Sequence, residues 1–260
     1  PERSAGGITL LSVLLEGSSY AAAVDHEGAY IWFASVSDYA SAGPAPINRA
    51  VFSRREPSIL FMTWAGSADQ DAVVYRVGLD GVLSERVEIP GAHRDFIELP
   101  DGSFLAIGWD IRELETPDGE AVEVVGDHII EVDSEGGSRV IWSAFDTWTP
   151  DLSSDLPSGS YPPNPDSLDW SHVNGIGYDA EADAVVASVF GLNALIKVDR
   201  ESGEVLWTLA SEDADYTSDS GEILVRGAHS VEVLADDRLL VFNRNIESPY
   251  LGGDMDLEGL

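Results

Sequence analysis

A chain of 260 residues with 44% hydrophobic side chains can bury a sizeable core, as one large domain or two small ones. The formal net charge is −33 at pH 7 with a pI near 4.1, and a surface this acidic repels nucleic acid and anionic membranes. The absence of cysteine removes disulfides, Cys-bound structural zinc and thiol catalysis, and no apolar run reaches the length of a membrane span.

Lys197 is the sole lysine; every other basic side chain is an arginine. So many carboxylates have two readings, a halophilic solvation device or a specific acidic binding face. The first is favoured and predicts stability that rises with salt. The opening residues PERSAGG lack the basic-then-apolar pattern of a signal peptide.

Residues 8–35 predict a first blade, or most of one: ITLLSVLL, YAAAVD and AYIWFAS, with a tight HEG turn. Residues 37–57 read as looser and rich in proline. Residues 58–90 predict a second blade of SILFMTW, DAVVYRVGLDG and VLSERVEIP, where Leu79-Asp80-Gly81 is a hairpin signal. Residues 91–146 predict a third, in which about 110–127 extends a loop between inner and outer strands. Residues 147–168 read as an ordered rim loop, with Trp148 and Tyr161 to bury.

Residues 169–210 predict a complete four-stranded unit: strands at 172–178, 184–188, 194–198 and 204–209, joined by turns at 179–183 and 199–203. After a polar loop, residues 227–245 supply two strands of a fifth unit, and the tail reads as loop.

The units resemble one another. His93, His172 and His229 each open a short strand followed by an Asp-containing turn and an apolar strand. HIIEVDSEGGSRVIW parallels NALIKVDRESGEVLW, and YAAAVDHEGAYIW is a shorter copy. Repetition at about 40–50 residues with every unit β is the signature of propeller blades. The expected fold is all-β: a single β-propeller domain over residues 1–260, with five or six four-stranded blades and the last represented in part. Either the N-terminal strand closes a five-bladed ring, or the chain belongs to a longer protein.

Of five histidines, His26 sits in a turn and His128 is expected to open an outer strand as a structural residue. His93, His172 and His229 open inner strands, which in a propeller line one mouth of the channel. Two readings follow: each imidazole caps its own blade, or the three converge on a ligand.

GAHRDFIELPDGSFLAIG, DWSHVNGIGYD, VVASVFGLNALIKVDRESGEVLWTLA and GAHSVEVLADDRLLVFNRN, in that order, resemble the arylsulfotransferase family of secreted β-propellers. The resemblance spans most of residues 8–245. It implies sulfuryl transfer from an aryl sulfate to a phenol, with no nucleotide sulfate donor and no cofactor, and an extracellular or periplasmic location after signal removal. It also implies His229 as the sulfated histidine, His172 as a sulfate-binding histidine with Asn174 as its motif partner, and His93 or Arg94 as the first-blade residue. Imidazole suits the task, being nucleophilic near neutral pH and a good leaving group from sulfur once protonated, while cations must hold the sulfate oxygens.

The departures are specific. The family's arginine in S-x-R falls at Phe190, after Ser188-Val189. Its H-H-D reads His93-Arg94-Asp95, and its closing F-D-N reads Phe242-Asn243-Arg244-Asn245, so Arg94 and Arg244 become alternative cations. The competing reading is a non-catalytic propeller that binds a ligand or partner at its mouth. Acidic turns such as DSEGG lack the spacing of a calcium loop, and no short-spaced histidine pair suggests zinc.

Overall fold

The computed structural model describes residues 6–39, 46–67, 69–153, 156, 166–209, 215–216, 224–236 and 238–244. Tyr161, most of the 211–222 loop and the tail after 244 lie outside them. The first sheet is an antiparallel meander of β1 (Thr9–Leu15), β2 (Ser18–Val24) and β3 (Tyr30–Ser35). The second is β4 (Ile47–Phe52), β5 (Ser58–Thr63), β6 (Asp71–Gly78) and β7 (Leu83–Pro90). The third runs β8 (Ala92–Glu98), β9 (Phe104–Glu115), β10 (Ala121–Val132), β11 (Ser138–Ser143); a short α1 (Ala144–Thr147) follows, and β12 (Leu168–Asp169) adds parallel to β10. The fourth is β13 (Val173–Asp179), β14 (Ala184–Val189), β15 (Ala194–Asp199) and β16 (Val205–Leu209); β17 (Ala228–Val233) and β18 (Leu239–Asn243) form the last.

These four-stranded meanders are propeller blades, and their sequences show why. Central strands such as β5 (SILFMT) and β14 (AVVASV) are buried at every position, as strands covered on both faces must be. The outer β7 (LSERVEIP) is exposed along most of its length.

Contacts divide the chain into two compact units: residues 1–105 with 132–138, and residues 106–131 with 139–260. In the first, Ala21, Ala34, Ile47, Ile59, Phe61, Val73 and Tyr75 form the core, with the Phe61 and Tyr75 rings stacked at 5.3 Å. In the second, Leu195, Val225 and Ala228 pack beneath Trp207, Leu209, Leu239 and Val241.

Three turns share one chemistry. The Asp25 carboxylate accepts the Glu27 and Ala29 amides at 2.9 Å, Asp133 those of Glu135 and Gly137 at 2.8 and 2.9 Å, and Asp199 the amide of Ser202 at 2.8 Å. Backbone hydrogen bonding holds the Asp25 and Asp199 carboxyls below their usual range. Asp133 and Asp199 join the third and fourth strands of their sheets. Asp25 joins β2 to β3, so the first sheet holds the second to fourth strands of the repeat, and β17–β18 hold the first two.

Several boundaries differ from the sequence reading. Residues 47–52 are a strand, β4, and complete the second blade. The stretch at 110–127 is no loop: β9 and β10 run on as a twelve-residue pair closed by a turn in which the Thr116 amide donates to Glu120 O at 2.8 Å. His128 stands inside β10 rather than at its start, and His172 immediately precedes β13.

Candidate functional site

In the second unit, two inner strands are brought together by glycine. A Cβ on Gly175 would lie 2.6 Å from Ser230 Cα, and one on Gly177 would lie 3.0 Å from Val231 O. Only a residue without a side chain lets β13 approach β17 this closely. His229, the second residue of β17, is carried in with it. The β17–β18 register shifts just after His229, where Ser230 has φ 55°. The β13–β14 register shifts likewise, between Val173 and Gly175, leaving Asn174 at the bulge.

His172 has φ 50°, an unusual value for a residue with a side chain. Its neighbours hold it there. Buried Asp127 accepts both the Ser171 hydroxyl at 2.5 Å and the Val173 amide at 2.7 Å. His172 Nδ1 hydrogen-bonds the carboxylate of Asp169, itself buried.

Phe190 reaches the same place from a 3₁₀ turn at Phe190–Leu192. The Phe190 amide donates to His172 O at 3.3 Å and the Gly191 amide to Ser171 O at 2.9 Å. A Cβ on Gly191 would fall 1.9 Å from Trp170 O, so this seat also requires glycine. The Phe190 ring is tilted against His172 at 5.2 Å and edge-on to His229 at 5.6 Å. Arg244 Cζ stands 5.9 Å from the same ring. Asn193, left-handed at φ 49°, ends the turn, and its Oδ1 accepts the Gly227 amide at 2.8 Å, tying the turn to the entry of β17.

The structure therefore gathers His172, His229, Phe190 and Arg244. Asn174 is adjacent but 8% exposed, and its Oδ1 accepts the Ser188 hydroxyl at 2.9 Å. That bond gives it a strand-fixing role.

The remaining predicted residues belong to the first unit. His93 is buried in β8, and Arg94 is half-buried at φ 61°. The arginine that meets the motif's Asp95 is Arg49 of β4, through a short ion pair.

Sequence reasoning missed Asp127 and gave Asp169 no part. Asp169 was visible as the acid three residues before His172. Asp127 lies more than 40 residues upstream, and only the pairing of β10 with β12 brings it there. Among the described residues no group of three or more His, Asp or Glu side chains could hold a metal ion. No described helix is long and apolar enough to cross a membrane.

Four-stranded antiparallel blades, with two histidines of the second unit packed against one phenyl ring, define the class, a histidine-bearing β-propeller. The arylsulfotransferase (ASST) family matches residues 2–250, and the chain belongs to that family. It is 25% identical over 222 residues to the arylsulfate sulfotransferase AssT of Escherichia coli O6:H1 (strain CFT073), covering 72% of this chain and 36% of that protein. The chain thus spans about a third of that relative's length. Among solved structures, a luciferin-regenerating enzyme superposes with a TM-score of 0.51 at 14% identity, over 96% of this chain and 72% of its own. Kuenenia stuttgartiensis hydrazine synthase gives 0.48 at 15% identity, over 88% and 69%. The former is a likeness of fold alone.

Proposed function

We propose that the protein transfers a sulfuryl group from an aryl sulfate to a phenolic acceptor through a sulfohistidine at His229. The observation that carries this reading is the packing of both His229 and His172 against one ring, with the Arg244 guanidinium near it, in a chain of the arylsulfotransferase family. A ring nitrogen of neutral His229 attacks sulfur; the N–S bond forms as the bond to the aryl oxygen breaks. The proton on the other ring nitrogen balances the aryloxide, which departs as a phenol. In the second half the acceptor oxygen attacks sulfur, the N–S bond breaks, and the acceptor's proton restores the neutral ring. His172 and Arg244 hold the sulfate oxygens.

The test is release of a chromogenic phenol from an aryl sulfate, with and without a phenolic acceptor. His229→Ala should abolish turnover and His172→Ala should cut it about 100-fold or more. Wild-type turnover in His229→Ala refutes the mechanism. His93 and Arg94, from the first unit, are tested by alanine substitution in the same assay. Export to an extracellular or periplasmic space belongs to this reading and is tested by fractionating cells.

A second reading rests on one observation: Phe190, not a guanidinium, packs against both imidazoles. Phenyl cannot bind or polarise sulfate, and a non-catalytic, ligand-binding propeller would show saturable binding without turnover.

A further inference from the structure

We propose that Asp169 and Asp127 are positioning residues that act as a pair on His172. Asp169 selects the ring tautomer, and Asp127 fixes the backbone that carries the ring. The proposal rests on the reading of His172 as a ligand-facing residue of the sulfuryl-transfer site.

The two carboxylates bracket His172 in sequence and in space. Asp169 lies three residues before it, and its Oδ2 meets Nδ1 of the ring. A carboxylate only accepts hydrogen bonds, so this contact requires a proton on Nδ1. In the neutral ring Nε2 then carries the lone pair, and in the imidazolium it carries the second N–H. Either way Nε2 is the nitrogen presented to a ligand.

Asp127 works on the main chain. One oxygen, Oδ2, receives the Ser171 hydroxyl and the Val173 amide, the groups on either side of His172. Between them His172 takes its left-handed backbone at φ 50°. A non-glycine residue holds that conformation only when its surroundings over-determine it. Here they include this clamp and the two amides of the 3₁₀ turn, which donate to His172 O and Ser171 O. Asp169 is anchored in turn by parallel pairing with Val125, two residues before Asp127. One short segment of β10 therefore serves both carboxylates.

The experiment is histidine-labelled ¹⁵N NMR on the whole chain, with the His172 signals assigned by their loss in His172→Gln. At alkaline pH the wild type should show Nδ1 protonated and Nε2 unprotonated. Asp169→Asn, whose amide can donate as well as accept, should lose that preference, and Asp169→Glu should recover part of it. Aryl sulfate turnover in Asp169→Asn should fall about 100-fold in kcat with KM little changed. A His172 ring protonated at Nε2 in the wild type, or a tautomer unmoved in Asp169→Asn, overturns the proposal; the first readout does not depend on Asp169→Asn folding. Asp127→Ala should move the Val173 amide resonance and lower turnover, and an unmoved Val173 amide overturns the clamp. If the wild type turns over no aryl sulfate while Asp169→Asn still moves the tautomer, the positioning pair stands and the sulfuryl-transfer reading fails.

Discussion

Gly175→Ala is the smallest change that separates the two candidate histidines. The added methyl would lie 2.6 Å from Ser230 Cα and 2.9 Å from Ser230 N, both backbone atoms, and 3.2 Å from Ser188 Oγ. Ordinary contact begins near 3.4 Å, so β17 must retreat by about 0.8 Å or β13 must bend. Overpacking of this kind costs about 1–3 kcal/mol. Ser230 is bonded to His229, so the retreat moves the proposed nucleophile away from His172 by a comparable distance. A displacement of about 1 Å at a reacting group costs about 100-fold in rate. Two assays read the two links separately: urea denaturation for stability, and phenol release under saturating aryl sulfate for geometry. Gly7→Ala, where an added Cβ meets nothing within 4 Å, is the control. If Gly175→Ala unfolds within about 0.5 kcal/mol of the wild type and keeps its kcat, the close approach of β13 and β17 does not set the site.

Arg76 and Glu98 are each 3% exposed and stand 2.8 Å apart, with Glu85 at 2.7 Å from Arg76 Nε; Arg76→Met should destabilise by about 3–5 kcal/mol, and adding Glu98→Met should cost less than the two single losses together. Hydrogen bonding to Lys197, opposed by burial, holds the Asp179 carboxyl below its ordinary value of 3.8. The stability Asp179 adds is therefore complete above that value and is lost as pH falls through its folded pKa; the gap between wild type and Asp179→Asn, read by urea melts, should close below pH 3.8. With a net charge of −33, the melting temperature should rise between low and molar salt, and an unchanged temperature refutes the solvation reading of the acidic surface.

Residues 173–209 were legible because the strands there are mostly apolar and the connections carry turn residues, so pattern and fold agree within a residue or two. β4 was not. INRAVF follows two prolines, and its Asn48 and Arg49 look solvent-bound until Asp95, 46 residues on, receives the arginine. The β9–β10 extension hid for the opposite reason: no position of RELE or AVE is fully buried, and most of these residues are charged. At the site, histidine was visible as a polar residue where a core strand begins. Phe190 was visible as a departure from a motif, though its contact with two imidazoles was not. Asp127 left no local signal, because its partners come from another blade.

The bulges suggest how one repeat serves two ends. Register shifts fall at Asn48 in β4, Asn174 in β13 and Ser230 in β17, each near the start of an inner strand. Arg94 in β8 shares the positive φ of Ser230, and each follows a histidine. An extra residue re-aims the side chains on either side of it, and in each unit the residue just beyond the bulge joins neighbouring inner strands. In the first unit that residue is Arg49, bonded to Asp95, which itself follows Arg94. In the second it is Gly175, pressed against Ser230. A charge pair can be broken by substitution of either member, whereas a glycine contact yields only to added volume. The two units should therefore respond to different mutations at the same level of the repeat: Arg49→Met should loosen β4 from β8, and only a larger residue at 175 should loosen β13 from β17.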